Sequence, residues 1–394
     1  MADYGKFDGK RILIWGYGRE GRSSELFLRD HCKCASVEVF EGAREDIRED
    51  MYDYIIKSPG IVMLDDDDKY TSQTQIFLEC FRDNTVGITG TKGKSTTSAL
   101  LHHVLAAAGK KTLLVGNIGE PCLSYYDQVD DDTIVVFEMS AHQLAHVNVS
   151  PHVAVFLNLF EEHLDYYKTL DRYFAAKANI ALFQNEDDLL YVGGNVPRLK
   201  SDAHISRIDF NEVPSYKMRI LGHHNDYNAH FVYRIATEVY DIDDQTVRDA
   251  LADFTGLAHR LEHIGTIDGI DYYDDSISTI PSATMEALSS VKNAGTVLIG
   301  GMDRGISYDM LIGYINAHRE YNYIFSYDSG RRIYESICIT DNCHYTPDLE
   351  SAVELAKMIT PEGKAIILSP ASASYGYFKN FEERGDVFRS YCGL

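Results

Sequence analysis

The apolar residues of this chain fall into short unbroken runs separated by glycine-rich and polar turns. Runs that do not alternate with polar residues predict strands buried on both faces of a parallel sheet. In order they are Arg11–Trp15, Ser36–Phe40, the stretch from Tyr54 into Ser58-Pro-Gly60-Ile61, Val86–Thr89, Thr112–Val115, Thr133–Glu138, Val153–Leu157, Thr296–Ile299 and Lys364–Ser369. A hairpin is predicted from Ile264 to Asp274, turning at Asp268-Gly269. Helical patterns fill the intervals: one from about Ser23 to His31, one opening at Ser98, one from Asp171 to Phe183, one opening near Asn225, and one started by Pro281. Strands and helices alternate throughout, so the class is α/β. Three domains are expected, at 1–84, 85–256 and 257–394. The first and last read as Rossmann-like, the middle one as a P-loop ATPase with a mostly parallel sheet.

Composition narrows the partners. A chain of 394 residues suits two or three domains, and 45% hydrophobic content supports real cores. The net charge of −23 argues against nucleic acid or an anionic membrane as main partner, because both require a basic surface. Seven scattered cysteines without a C-x-x-C pair read as reduced thiols, not as a zinc site or disulfide framework. No signal peptide is visible, and no apolar run approaches the ~18 residues of a membrane span. A cytoplasmic protein is expected. The acidic run Asp65–Asp68 reads as solvated surface.

The chemistry is concentrated at strand ends. Val86–Thr97 is strand, glycine-rich loop and helix start. Gly90-Thr91-Lys92-Gly93-Lys94-Ser95-Thr96 brings successive backbone N–H groups and a lysine to one place, which suits triphosphate oxygens. The strict P-loop pattern has a glycine where this chain has Ile88, so the loop is a variant. Glu138 closes an apolar strand and is a hard ligand suited to Mg²⁺, or else a strand-end cap. His163 follows another strand on the same sheet edge and is either a ligand or an ordinary polar residue. Lys177 lies on the apolar stripe of its helix, one turn from Tyr173 and from Ile180. It either snorkels or is desolvated, and a desolvated neutral amine can react with CO₂ to give a metal-binding carbamate.

Gly16-Tyr17-Gly18-Arg-Glu-Gly21, between strand and helix with Glu41 about 20 residues on, has the dinucleotide-binding context. It fits NAD, the phosphates of another nucleotide, or simply a tight turn. Asn225 and Asn228 share a helical face and can bond a base or ribose, or cap the helix. In the last segment, small hydroxyls and Arg304 after strand ends suit a small carboxylate.

These motifs, taken in order, resemble the Mur ligases, and within them the glutamate-adding branch. The match runs through Ser58-Pro-Gly60-Ile, Gly116-Asn117-Ile-Gly, Phe137-Glu-Met-Ser-Ala-His-Gln-Leu144, Glu161-Glu-His-Leu-Asp165, Ala175-Ala-Lys177, His224-Asn-Asp-Tyr-Asn-Ala229 and Ala258-His-Arg-Leu-Glu262. It ends in Ser369-Pro-Ala-Ser-Ala-Ser374 and Phe378-Lys-Asn-Phe-Glu-Glu-Arg-Gly385. The resemblance implies an ATP-dependent ligase of peptidoglycan precursor synthesis. ATP phosphorylates the carboxylate of UDP-N-acetylmuramoyl-L-alanine, and the amine of glutamate, D-glutamate in this branch, displaces the phosphate.

Residue roles follow by motif position. Lys94 serves the β/γ-phosphates. Ser95 or Thr96 with Glu138 binds one Mg²⁺, and His163 with carbamylated Lys177 a second. Asn225, Asn228, Arg260 and Asp275 hold ATP. Gly16, Tyr17, Glu41, Gly60 and Asn117 lie near the UDP-sugar, so the first glycine motif becomes a UDP site. Thr279, Arg304, Ser374 and Phe381 hold the incoming amino acid. A monomer is expected. One position departs: Ile277 stands where the family usually shows a lysine, which leaves L-glutamate or another amino acid open.

Overall fold

The computed structural model describes residues 4–63, 67–220, 222–338 and 340–394. Asp65 and Asp66 of the acidic run lie outside these, while Asp67 and Asp68 are exposed. Two compact units emerge: residues 1–218 with 223–254, and residues 219–222 with 255–394.

The first unit holds two parallel sheets. One has β1 (Arg11–Trp15), β2 (Ser36–Phe40), β3 (Tyr54–Lys57) and β4 (Tyr70–Thr71), in the order β2-β1-β3-β4. The other has β5 (Thr85–Thr89), β6 (Thr112–Gly116), β7 (Ile134–Glu138), β8 (Val153–Phe156), β9 (Leu189–Gly193) and β10 (His204–Ile208), in the order β10-β9-β8-β5-β7-β6. Every residue of β5, β7 and β8 is buried, which is why these strands read as continuous apolar runs. Helices Lys94–Ala107 and Leu170–Leu182 cross between strands of this sheet. The two sheets share one hydrophobic core, in which Phe27, Phe77, Tyr126 and Phe137 belong to the same cluster.

The second unit carries β11 (Glu262–Ile267), β12 (Ile270–Asp274), β13 (Ala294–Ile299), β14 (Asn322–Ser326), β15 (Cys343–Thr346) and β16 (Ala365–Leu368). Their order is β11-β12-β16-β13-β14-β15. All neighbours run parallel except β11, which is antiparallel to β12 and shifts register between His263 and Gly265. This sheet is therefore mixed, with the predicted hairpin forming its edge. Pro281 opens the helix Pro281–Ser290, as its fixed φ favours.

Helix Arg19–His31 starts four residues earlier than the apolar pattern indicated. The glycine turn before it needs close backbone approach. Gly16 has φ +92°, and a Cβ on Gly21 would stand 2.2 Å from the Gly16 carbonyl oxygen. We expect Gly21→Ala to cost about 2 kcal/mol or more in urea unfolding, because backbone meets that Cβ. Gly60→Ala, where no atom lies within 4 Å, is expected to stay within about 0.5 kcal/mol of the parent.

Candidate functional site

The phosphate-loop sequence lies between β5 and the helix Lys94–Ala107. Gly90 and Gly93 take φ +156° and +83°, values that a side chain would strain. Asn158, just past β8, clamps the loop: its Oδ1 accepts from Lys92 N at 2.9 Å, its Nδ2 donates to Lys92 O at 3.0 Å, and its carbonyl accepts from Thr91 N at 3.0 Å. Phe160 N donates to Thr91 Oγ1 at 2.9 Å. Lys94 Nζ donates to the carbonyls of Gly90 (3.0 Å) and Thr91 (2.9 Å). Ser95 is half-buried and Thr96 buried.

Lys177 comes to the same loop from helix Leu170–Leu182. It is 1% exposed, and its Nζ donates to Gly90 O at 2.7 Å and lies 4.8 Å from the Tyr173 ring centre. Burial is the first cause that drives its pKa well below the ordinary lysine value, and the Lys94 charge adds to it. The apolar-stripe reading is thus met by a desolvated amine, not by one that snorkels to water.

Glu138 ends β7 and is fully buried. Its Oε1 accepts from Asn117 Nδ2 at 2.7 Å, and its Oε2 is buried without a hydrogen-bond partner. An orphaned carboxylate oxygen beside a phosphate loop fits a hard cation. Past β8, His163 is exposed at φ +56°, and its ring packs against His142 (5.0 Å between centres) and Tyr173 (5.8 Å). Tyr166 and Tyr167 complete this ring cluster. Among the described residues no group of three or more His, Cys, Asp or Glu side chains is arranged to hold a metal.

Asn228 sits against the loop from helix His223–Glu238. A Cβ on Gly93 would lie 2.5 Å from Asn228 Oδ1, and Asn228 Nδ2 donates to Asn225 Oδ1 at 3.3 Å. On the first sheet, Ser58 Oγ donates to Gly16 O at 2.9 Å, which joins the Gly16–Gly21 turn to the Ser58–Gly60 turn. Tyr17 is paired with Glu25 and lies under the Arg22 guanidinium, while Glu41 and Gly60 are exposed. Gln143 Nε2 donates to Glu20 Oε1 at 2.8 Å, which ties the segment after β7 to this edge.

In the second unit, Asp275 is buried. Its Oδ1 accepts from Leu261 N (3.1 Å) and its Oδ2 from Ser369 Oγ (2.7 Å). Burial raises its pKa to about 6, although these hydrogen bonds and the exposed Arg260 pull the other way. Arg304 Nη2 donates to Thr279 O at 2.9 Å. Ser374 is buried, and Phe381 O accepts from Ser276 Oγ at 2.8 Å. Ile277 is half-buried, its N–H donating to His259 O.

Beneath these loops runs a layer the sequence did not single out. Arg384, 1% exposed, donates to Ser276 Oγ (3.0 Å), Ser276 O (2.7 Å) and Ser372 O (3.0 Å), and burial lowers its pKa to about 10. His259 Nδ1 and Asp274 Oδ2 lie 2.7 Å apart in the interior. Gly385 has no room for a side chain there, since a Cβ would meet His259 Nδ1 at 2.1 Å. Arg384 and Gly385 stand together in the Phe378–Gly385 motif, the only local signal that could have marked them.

The model of the Mur ligase middle domain matches residues 88–194, which spans the phosphate loop, Glu138, His163 and Lys177. A UDP-N-acetylmuramoyl-L-alanine–L-glutamate ligase of Salinispora tropica is 32% identical, with 96% of each chain covered. The chain belongs to the Mur ligase family. A UDP-N-acetylmuramoylalanine–D-glutamate ligase of Streptococcus agalactiae is 30% identical over 97% of this chain and 96% of its own. Among solved Mur ligase structures, MurF of Thermotoga maritima in complex with ADP superposes with a TM-score of 0.64 at 15% identity, covering 97% of this chain and 95% of that one. At that identity the likeness concerns the fold alone. No helix among the described residues is long and apolar enough to cross a membrane.

The raised pKa of Asp275 has a signed consequence. Between its unfolded value, near 3.8, and about 6, the folded state holds more protons than the unfolded one, so this group lowers stability as pH rises. The penalty reaches about 3 kcal/mol once the group is ionised. Urea unfolding of the parent and of Asp275→Asn should therefore show the variant gaining relative stability from pH 4 to pH 7. A constant difference across that range would contradict the burial argument.

Proposed function

We propose that the chain is an ATP-dependent ligase that joins glutamate to UDP-N-acetylmuramoyl-L-alanine in peptidoglycan precursor synthesis. One observation carries the reading: a phosphate loop, a buried carboxylate with an unpaired oxygen and a desolvated lysine meet at one sheet edge. The full-length relatives supply the substrate class, and they name both glutamate forms at similar identity. Three domains divide the labour, 1–84 for the UDP-sugar, 85–256 for ATP and 257–394 for the amino acid, in keeping with the three sheets.

Backbone N–H groups of Gly90–Thr96 and the Lys94 ammonium hold the β/γ-phosphates, Lys94 exchanging its loop carbonyls for phosphate oxygens. Ser95 or Thr96 with Glu138 holds one Mg²⁺. When bound there, Mg²⁺ would offset phosphate charge; a carboxylate is a poor electrophile and needs phosphorylation before an amine can attack it. Asn225, Asn228, Arg260 and Asp275 hold ATP. Gly16, Tyr17, Glu41, Gly60 and Asn117 hold the UDP-sugar. Asn117 also bonds Glu138, so sugar and phosphate chemistry share a hydrogen bond. Thr279, Arg304, Ser374 and Phe381 receive glutamate, with Arg304 placed to fork onto a carboxylate.

Lys177 is carbamylated in this proposal, because its depressed pKa favours the neutral amine, the form that adds CO₂. The resulting carboxylate, with His163, would be among the ligands of a second Mg²⁺.

The reading is tested by phosphate release with UDP-N-acetylmuramoyl-L-alanine, ATP and Mg²⁺, adding D- or L-glutamate. Turnover is expected with one enantiomer, and a lack of dependence on either would overturn the assignment. Lys94→Ala and Glu138→Ala should each lower kcat about 100-fold or more. Lys177→Ala should do the same and regain part of the rate with acetate or formate, whereas an unaffected kcat would exclude the carbamate.

A further inference from the structure

Within the first unit, two side chains reach from the segments after β7 and β8 to the turn that follows β3. Tyr166 sits in the one-turn helix Leu164–Tyr167, directly after His163, and its hydroxyl donates to Ile61 O at 2.9 Å. His146 Nε2 donates to Met63 O at 2.9 Å. On its own side the turn is tied to the first sheet: Ser58 N donates to Trp15 O and Ser58 Oγ to Gly16 O, each at 2.9 Å. Lys57 Nζ also donates to Ile61 O at 2.9 Å, but it stands four residues away and moves with the turn. Tyr166 and His146 come from 105 and 83 residues away, so their bonds fix the turn to the central sheet.

The held turn presents an open face. Between Ser58 and Ile61, Gly60 is exposed, and no atom lies within 4 Å of where its Cβ would stand. Backbone fixed behind and open in front meets a ligand without being reordered first, which lowers the ordering cost of binding. Tyr166 is itself set firmly. It is 8% exposed, and its ring packs on His142 (4.4 Å between centres) and Tyr167 (4.7 Å). His142 packs in turn on His163. The hydroxyl therefore extends from a rigid ring cluster, and a single helical turn links His163 to the residue that holds the Ser58–Ile61 turn.

We propose that Tyr166 is a positioning residue for the acceptor substrate: its hydroxyl holds the Ser58–Ile61 turn in the form that receives the UDP-sugar. The proposal rests on the reading of Gly60 as part of the UDP-sugar site. Tyr166 acts through the Ile61 carbonyl, on binding and not on the chemical step. Without its bond the ligand itself has to order the turn, and once bound the ligand holds it in place.

Tyr166→Phe keeps the ring in its cluster and removes only the donor. In the full-length protein, phosphate release is followed with UDP-N-acetylmuramoyl-L-alanine varied at saturating ATP, then with ATP varied, using the glutamate enantiomer that the parent turns over. The KM for the UDP substrate should rise about 5–10-fold, the scale of one buried hydrogen bond, while kcat and the KM for ATP stay at the parent values. An unchanged KM for the UDP substrate overturns the proposal. An equal rise in both KM values, a fall in kcat or a variant that does not fold overturns it too, since each marks a structural role. A parent whose phosphate release does not depend on the UDP substrate refutes the ligase reading itself and takes the proposal with it. Parental turnover with an unmoved KM in the variant removes the proposal alone.

Discussion

A buried lysine whose hydrogen-bond partners are all neutral lies at the centre of this protein. Lys177 is held behind the phosphate loop by the Gly90 carbonyl, the Thr89 hydroxyl and the face of Tyr173. None of these can neutralise it; burial and the nearby Lys94 lower its pKa, while the Glu162 and Glu138 carboxylates pull the other way. Burying such a charge costs several kcal/mol, which favours the neutral amine. The neighbourhood complements this. Glu138 is buried with an unused oxygen on the same sheet edge. A buried carboxylate with an unpaired oxygen beside a phosphate loop leaves a place that suits a cation.

The phosphate loop is shaped from outside as much as from within. Asn158 grips both the N–H and the carbonyl of Lys92, so the loop's form depends on the strand next to its own. Asn117 reaches Glu138 from the far side. Loop and carboxylate are thereby each held by a side-chain amide, whose geometry is stricter than that of a hydrophobic contact.

Much of this was legible in the chain. The buried strands announce themselves because parallel sheets leave no polar alternation, and the glycines at 90 and 93 sit where left-handed backbone is needed. Lys177 was legible from its position on an apolar stripe. The strands β9 and β10 were not, because Leu189–Gly193 closes on a second glycine and His204–Ile208 carries polar residues through its length. Nor was the layer of Arg384, His259 and Asp274, whose members lie far apart in sequence and meet only through β12, β16 and the last helix. An arginine among charged residues reads as surface until the fold turns it inward. His142 likewise gave no local sign that its ring would meet His163.

Arg384 has a further consequence. It bonds the loop after β12 and the loop after β16 at once, and Gly385 leaves no space below them. The two loops are one rigid floor. Descendants of this fold that exchange one amino acid for another therefore have little freedom in that floor, where a single replacement strands a guanidinium in the interior. Arg304 lies outside that floor, exposed, and among the described residues bonds only the Thr279 carbonyl.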